Sequence, residues 1–157
     1  AITGHLVLST LHTNDSPSTI ARLIDMGLEP YLVSSAVIGI ISQRLVKLLC
    51  PKCKEKYEAS DLERKILGIY GDKDIMLFKP VGCNSCNNGY RGRAAVHEVM
   101  LVNENIRRLI NKGAITDEIR SRALEDGMTT LLQSAADLAL RGETSYEEVM
   151  RAGYTLG

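Results

Sequence analysis

The sequence has no Trp and a single Phe, so its interior has to be built from Leu, Ile, Val and Met. Neither sign of charge is in excess. Nineteen Lys and Arg balance 19 Asp and Glu, which argues against whole-surface attraction to nucleic acid or acidic lipid and leaves only local patches. A long apolar run is also missing. The most apolar stretch, Tyr31 to Ile41, contains Ser34, Ser35 and Gly39 and then meets Gln43-Arg44, well short of the ~20 residues that span a bilayer. No basic-then-apolar start resembles a signal peptide. No Gly is followed by Lys, which excludes a G-x-x-x-x-G-K-[ST] phosphate loop. Nor does an apolar strand run into paired acids suited to Mg²⁺, so the chain is not expected to bind ATP unaided in that manner. It opens on Ala1-Ile2-Thr3-Gly4, without Met, and passes straight into Leu6-Val7-Leu8, which reads as a piece of a longer protein.

What is present fits a soluble globular chain: 157 residues, 45% hydrophobic and 24% charged. His5 to His12, rich in Leu, Val and Thr, reads as a buried strand. Thr13 to Pro17 reads as a strand-to-helix turn with Ser16 as N-cap and Pro17 at the first helical position. Ile20, Leu23 and Ile24 supply one apolar face, and Gly27 ends the helix. A second helix is predicted from Pro30, burying Tyr31, Val33, Val37 and Ile41. A strand feeding a helix points to an α/β sheet. Val46 to Leu49 is expected to be a short strand and Ala94 to Leu101 another. Ser60 to Glu63 and Ser145 to Glu148 read as capping boxes. Further helices are predicted at 105–111, 116–125, 130–141 and 145–152, with 3.6-residue periodicity clearest in Leu131, Leu132, Ala135, Leu138 and Ala139.

Four cysteines fall as Cys50-Pro-Lys-Cys53 and Cys83-Asn-Ser-Cys86, separated by 29 residues. Zinc favours four thiolates in a tetrahedron at about 2.3 Å each. Each C-x-x-C turn lets two sulfurs converge, and two such turns close the sphere, leaving no position for substrate. Cys50, Cys53, Cys83 and Cys86 are therefore expected to form a structural zinc site, against two disulfides or four unrelated thiols. A hydrolytic zinc enzyme would need an open coordination position that four thiolates do not leave.

His5 and His12 are seven apart, which on a regular strand puts them on opposite faces and excludes a simple two-His metal pair. His12 and Thr10 share a face at the strand's carboxyl end, where ligands bind in open α/β sheets. Thr13, Asn14, Asp15 and Ser16 then place polar groups at a helix N-terminus, which favours phosphate. The competing interpretation makes His5 a core histidine and the T-N-D-S run an ordinary helix cap. His97, on the second strand, reads as structural.

Taken together, Gly4-His-Leu-Val-Leu-Ser-Thr-Leu-His-Thr-Asn-Asp-Ser16 resembles the histidine box of the secretion ATPase superfamily, the motors of type II secretion and type IV pilus assembly. Ser42-Gln-Arg-Leu-Val46 with Leu49-Cys-Pro-Lys-Cys53 resembles the entry to that family's tetracysteine element. Gly82 to Cys86, Gly89-Tyr-Arg-Gly-Arg93 and His97-Glu-Val-Met100 resemble its exit, and the tail with Asp126-Gly-Met128 and Glu147-Glu-Val149 also fits. The tetracysteine points to the assembly or secretion branch, since retraction motors generally lack it. The resemblance implies an α/β fold: the C-terminal part of a RecA-like ATPase core over residues 1–49, a tetracysteine zinc-binding element over 50–93, and a return strand with a C-terminal helical subdomain over 94–157. It further implies a homohexamer that acts in the cytoplasm, peripheral to the inner membrane, on the platform proteins of the machine, without nucleic acid. By the same carry-over, His12 and His5 have catalytic roles near the γ-phosphate. Thr10, His12 and Arg93 contact nucleotide, and structural Zn²⁺ is bound by the cysteines. The P-loop and Mg²⁺-binding acids of the family are missing, so ATP and Mg²⁺ are expected only in the full-length protein, and this piece alone is expected to be inactive.

A rival reading is a zinc-ribbon module that binds nucleic acid or protein through Arg44, Lys47, Lys52, Lys54, Lys56, Arg91 and Arg93. Glu55 and Glu58 dilute that cluster and aromatics for stacking are few, which favours a solvated basic face.

Overall fold

The computed structural model describes residues 4–70 and 74–154; the Ala1-Ile2-Thr3 opening lies outside them. Its elements are, in order, α1 (Ser16–Asp25), α2 (Pro30–Ala36), β1 (Gly39–Leu49), β2 (Glu55–Glu58), α3 (Asp61–Ile66), β3 (Met76–Lys79), β4 (Tyr90–Leu101), α4 (Glu104–Lys112), α5 (Thr116–Glu125), α6 (Leu131–Leu140) and α7 (Tyr146–Gly153). β1 pairs with β4 and β2 with β3. This is a mixed α/β chain of helices and small two-stranded sheets. It divides into two units, one made of the residues up to Ser42 with Glu98–Thr129, the other of Gln43–His97 and the residues from Thr130 onward.

The first unit packs α1, α2, α4 and α5 around Ile20, Val33, Met100, Ile106, Ile110 and Ile119. The α1 cap is Asp15, one residue before the expected Ser16: its carboxylate accepts the Ser18 N–H at 2.9 Å, while Ser16 is wholly buried. Gly27 follows the helix with φ +89°, the left-handed conformation that closes it. α2 stops at Ala36, and the chain turns extended at Val37. The β-branched run Val37, Ile38, Ile40 and Ile41 suits a pleated strand better than a helix. Ile41 therefore lies on β1, 67% exposed, and Tyr31 is 63% exposed, so neither joins the buried side predicted for that helix. α4 is capped by Asn103, whose side chain accepts the Ile106 N–H at 3.1 Å.

The second unit is built on Val46, Leu77, Val96, Leu131, Ala135 and Val149. Ser60 and Glu63 form the expected capping box on α3, and Thr130 with Gln133 forms another on α6. The box expected at Ser145 does not form, because both its members are used elsewhere. The Ser145 hydroxyl pairs with the Tyr90 hydroxyl at 2.8 Å, and the Glu148 carboxylate accepts the Lys47 backbone N–H at 2.8 Å. β2 and β3 pair antiparallel with Glu55 opposite Lys79 and Tyr57 opposite Leu77.

His5 to His12 departs from the expected buried strand. It has no regular structure, and every residue in it is exposed, with Leu6 at 75% and Leu8 at 88%. A strand needs a ladder to join, and the described strands pair only with one another. Among the described residues no helix is long and apolar enough to cross a membrane.

Candidate metal centre

Cys50 follows directly on β1, and the chain turns tightly there: the N–H groups of Cys53 and Lys54 both donate to the Cys50 carbonyl, at 3.3 and 3.1 Å. The second pair repeats the device, with Cys86 N–H donating to the Cys83 carbonyl at 3.2 Å. Asn87 and Tyr90 then exchange two backbone hydrogen bonds of 3.0 Å across Asn88 (φ +49°) and Gly89 (φ +85°). Two positive φ values in succession make a type I′ turn, the kind Asn-Gly favours; it launches β4. The two knuckles are tied where the Cys50 N–H donates to the Gly89 carbonyl at 2.8 Å. A Cβ on Gly89 would fall 2.8 Å from Pro80 Cα and Val81 N, so no side chain fits there.

These turns bring the four sulfurs within 4.8 Å of one another. Cys50 and Cys83 Sγ are 4.0 Å apart, Cys53 and Cys86 3.7 Å, and Cys83 and Cys86 3.7 Å. A tetrahedron of bonds of about 2.3 Å has S···S edges of about 3.8 Å, so the cluster fits one four-coordinate ion. All four are free thiols, not the two disulfides of the alternative. Cys50 is buried and Cys83 exposed. Desolvation and the crowding of sulfurs push Cys53 up to about 11. At Cys86 desolvation is outweighed by the N–H groups of Cys83 and Gly89, which bring the thiol down to about 7. Four ligands close the sphere, so the centre can hold a metal but offers no position for a reacting water.

The basic residues around the knuckles are partly engaged inside the fold. Lys54 Nζ donates to the Gly142 carbonyl at 2.6 Å and sits 4.6 Å from the Phe78 ring centre. Lys47 lies over Tyr90 and 3.8 Å from Glu148, and Lys79 pairs with Glu55 at 3.3 Å. Lys47 and Lys54 are thus tied into the fold, while Lys52, Lys56, Arg91 and Arg93 of the same cluster are exposed.

Of the other predicted site residues, His5, Thr10 and His12 are exposed in the segment before α1, and Arg93 is exposed on β4 in the second unit. The α1 N-terminus is not the phosphate cradle that its polar residues suggested. The Ser16 N–H donates to Glu98 Oε1 at 2.7 Å, the Ser18 N–H donates to Asp15 Oδ1 at 2.9 Å, and Pro17 has no N–H. Two carboxylates already occupy the donors an anion would seek. Asp15 is also paired with Arg120 Nη2 at 2.9 Å. Burial alone would raise its pKa, but the Ser18 hydroxyl and N–H and the Arg120 guanidinium hold it below the usual carboxylate range. His97 Nε2 lies 3.2 Å from Gln43 Oε1 on the exposed side of β4. Glu98 and Arg120 were absent from the sequence-based site. Glu98 had a readable sign, a carboxylate at an inward position of β4 between Val96 and Met100; Arg120, 105 residues from its partner, had none.

The chain is thus a mixed α/β protein with four clustered cysteines able to hold a metal and an exposed segment carrying two histidines. The family model described as Type II/IV secretion system protein matches residues 1–151, and the chain belongs to that family. Among its relatives, Type II secretion system ATPase E of Vibrio cholerae is 41% identical over 152 residues, covering 96% of this chain and 30% of that protein. Type IV pilus assembly ATPase PilB of Myxococcus xanthus is 44% identical over 154 residues, covering 96% of this chain and 27% of that protein. PilB of Thermus thermophilus is 42% identical over 154 residues, covering 96% and 17%. The chain thus spans less than a third of the length of these curated relatives.

Proposed function

We propose that this chain is the carboxy-terminal part of a motor ATPase of type II secretion or type IV pilus assembly. The observation that carries the reading is family membership over 151 residues with relatives at about 40% identity named as ATPases of those two systems. In this reading residues 1–49 belong to a RecA-like core, 50–93 to the zinc element, and 94–157 to a return strand and helical subdomain. The whole protein is a hexamer on the cytoplasmic side of the inner membrane, working against the platform proteins of its machine.

Two devices are assigned to this part. Cys50, Cys53, Cys83 and Cys86 hold zinc, because four soft thiolates at tetrahedral spacing suit that ion; the bound ion supplies cross-linking of the two knuckles, not catalysis. His12 and His5 are assigned catalytic roles at the terminal phosphate of ATP, and Thr10 and His12 contacts to the nucleotide. The His12 imidazole can hydrogen-bond that phosphate or orient the attacking water, coupling nucleotide state to movement. Arg93 is assigned to the nucleotide as a further contact. The Mg²⁺ that ATP requires has no acidic ligands assigned here and would be held by the rest of the protein.

The reading is tested by Mg²⁺-dependent phosphate release and metal content. The full-length protein should hydrolyse ATP and carry about one zinc per chain, while the 157-residue piece should release no phosphate above a denatured control. An inactive full-length protein, or turnover by the piece alone, contradicts it.

A further inference from the structure

The turn that follows His12 is held from two directions. The Ser16 N–H donates to Glu98 Oε1 at 2.7 Å, and the Ser16 hydroxyl lies 3.2 Å from the Glu98 carbonyl and 3.1 Å from the Ser42 hydroxyl. From α5, Arg120 Nη2 donates to Asp15 Oδ2 at 2.9 Å. The Thr13 and Thr19 hydroxyls, 2.7 Å apart, close the turn. Ser16 is wholly buried and Glu98 is 2% exposed.

Capping does not explain so much investment. Asp15 alone caps α1, and an N-cap satisfies a helix start. Placing a second carboxylate in the interior carries a desolvation cost that only a fixed set of donors offsets. What the arrangement adds is a set of tethers from distant residues on Asp15 and Ser16, directly after an exposed segment without regular structure. His12 is attached to that tethered end.

We propose that Glu98 and Arg120 are positioning residues for His12: by anchoring Ser16 and Asp15 they set where the imidazole stands relative to the terminal phosphate. The inference rests on the phosphate-contacting role given to His12 above. Neither side chain is required to touch nucleotide. Positioning of this kind affects the rate of a bound complex more than its formation, since small displacements of a reacting group are costly.

The test is a mutant cycle in the full-length protein, reading kcat and KM for ATP. Glu98→Ala and Arg120→Gln should each lower kcat about tenfold with KM little changed. Glu98→Gln, which keeps an oxygen acceptor for the Ser16 N–H, and Arg120→Lys should recover most of the rate. In a His12→Ala background the same substitutions should cost less than about twofold, because the group they position is gone. Equal losses in both backgrounds would overturn the inference, as would unchanged kcat in Arg120→Gln. Arg120 is a third exposed, so this variant carries the test if Glu98→Ala fails to fold, which a thermal melt reveals. If His12→Ala itself leaves turnover unchanged, the phosphate-contacting role fails and the inference falls with it. A loss in His12→Ala with additive losses at Glu98 and Arg120 sinks the inference alone.

Discussion

Glu148 accepts the backbone N–H of Lys47, 101 residues away, at 2.8 Å. Its carboxylate is 3% exposed and is reached as well by Arg151 at 3.3 Å and by the Lys47 ammonium at 3.8 Å. The first turn of α7 is thereby joined to β1 in place of being capped by its own side chain. Glu148→Ala would leave a strand N–H without its acceptor and two cations without their shared counter-charge. It should lower unfolding stability by about 2–3 kcal/mol, whereas Glu148→Gln, which keeps an acceptor oxygen, should cost distinctly less. Denaturant melts of the two variants check this; equal losses would show that the hydrogen bond to Lys47 does not matter.

The proposed zinc site at the four cysteines makes a prediction about metal and stability together. Cys86→Ser should reduce bound zinc from about one per chain to near zero, and the melting temperature should fall with it. A strong chelator should reproduce the fall in the wild type and leave the variant unaffected, because binding free energy at such a site is folding free energy. Metal analysis with paired melts gives the result. A chelator-insensitive wild type would count against a structural ion.

Gly89 ties the two knuckles through its carbonyl and is crowded by Pro80 and Val81. A methyl group there would lie 2.8 Å from Pro80 Cα and Val81 N, and the backbone has φ +85°. Gly89→Ala should therefore cost at least about 2 kcal/mol, the left-handed conformation accounting for about half and the backbone clash for the rest. Competition with a metal indicator should show weakened metal affinity as well, since the Gly89 carbonyl receives the Cys50 N–H.

Asp15 predicts an acid limb. Its folded-state pKa lies below the unfolded value, so its contribution is fully present above about pH 5 and is lost as pH falls through about 4 and then through the lower folded value. Asp15→Asn keeps a capping side chain but loses the ion pair with Arg120. At pH 7 the variant should be less stable by about 1 kcal/mol, and the gap should close toward pH 2. A gap that widened on acidification would have the wrong sign.

The parts of the fold legible in the sequence were those whose physics is local. The box at Ser60/Glu63 closes within one turn, and the spacing of two C-x-x-C pairs is enough to expect the four sulfurs together, as they are. Ser145/Glu148 has the same four-residue pattern and failed because Tyr90 and Lys47, far off in the chain, compete for its groups. β2 and β3 were missed: each has four residues, two of those in β2 are Glu, and α3 lies between them. The segment from His5 to His12 has the composition of a strand but no ladder among the described strands. The α1 start read as an anion site because its polar residues were visible, whereas Glu98, which takes one of its donors, stands 82 residues away.

His12 is proposed to supply a phosphate-contacting imidazole to an ATP-driven motor. The most direct measurement is ATP turnover by the full-length protein with and without His12→Ala, alongside nucleotide affinity. Turnover should fall at least about tenfold while affinity changes less than about threefold. Undiminished turnover in the variant would contradict the account.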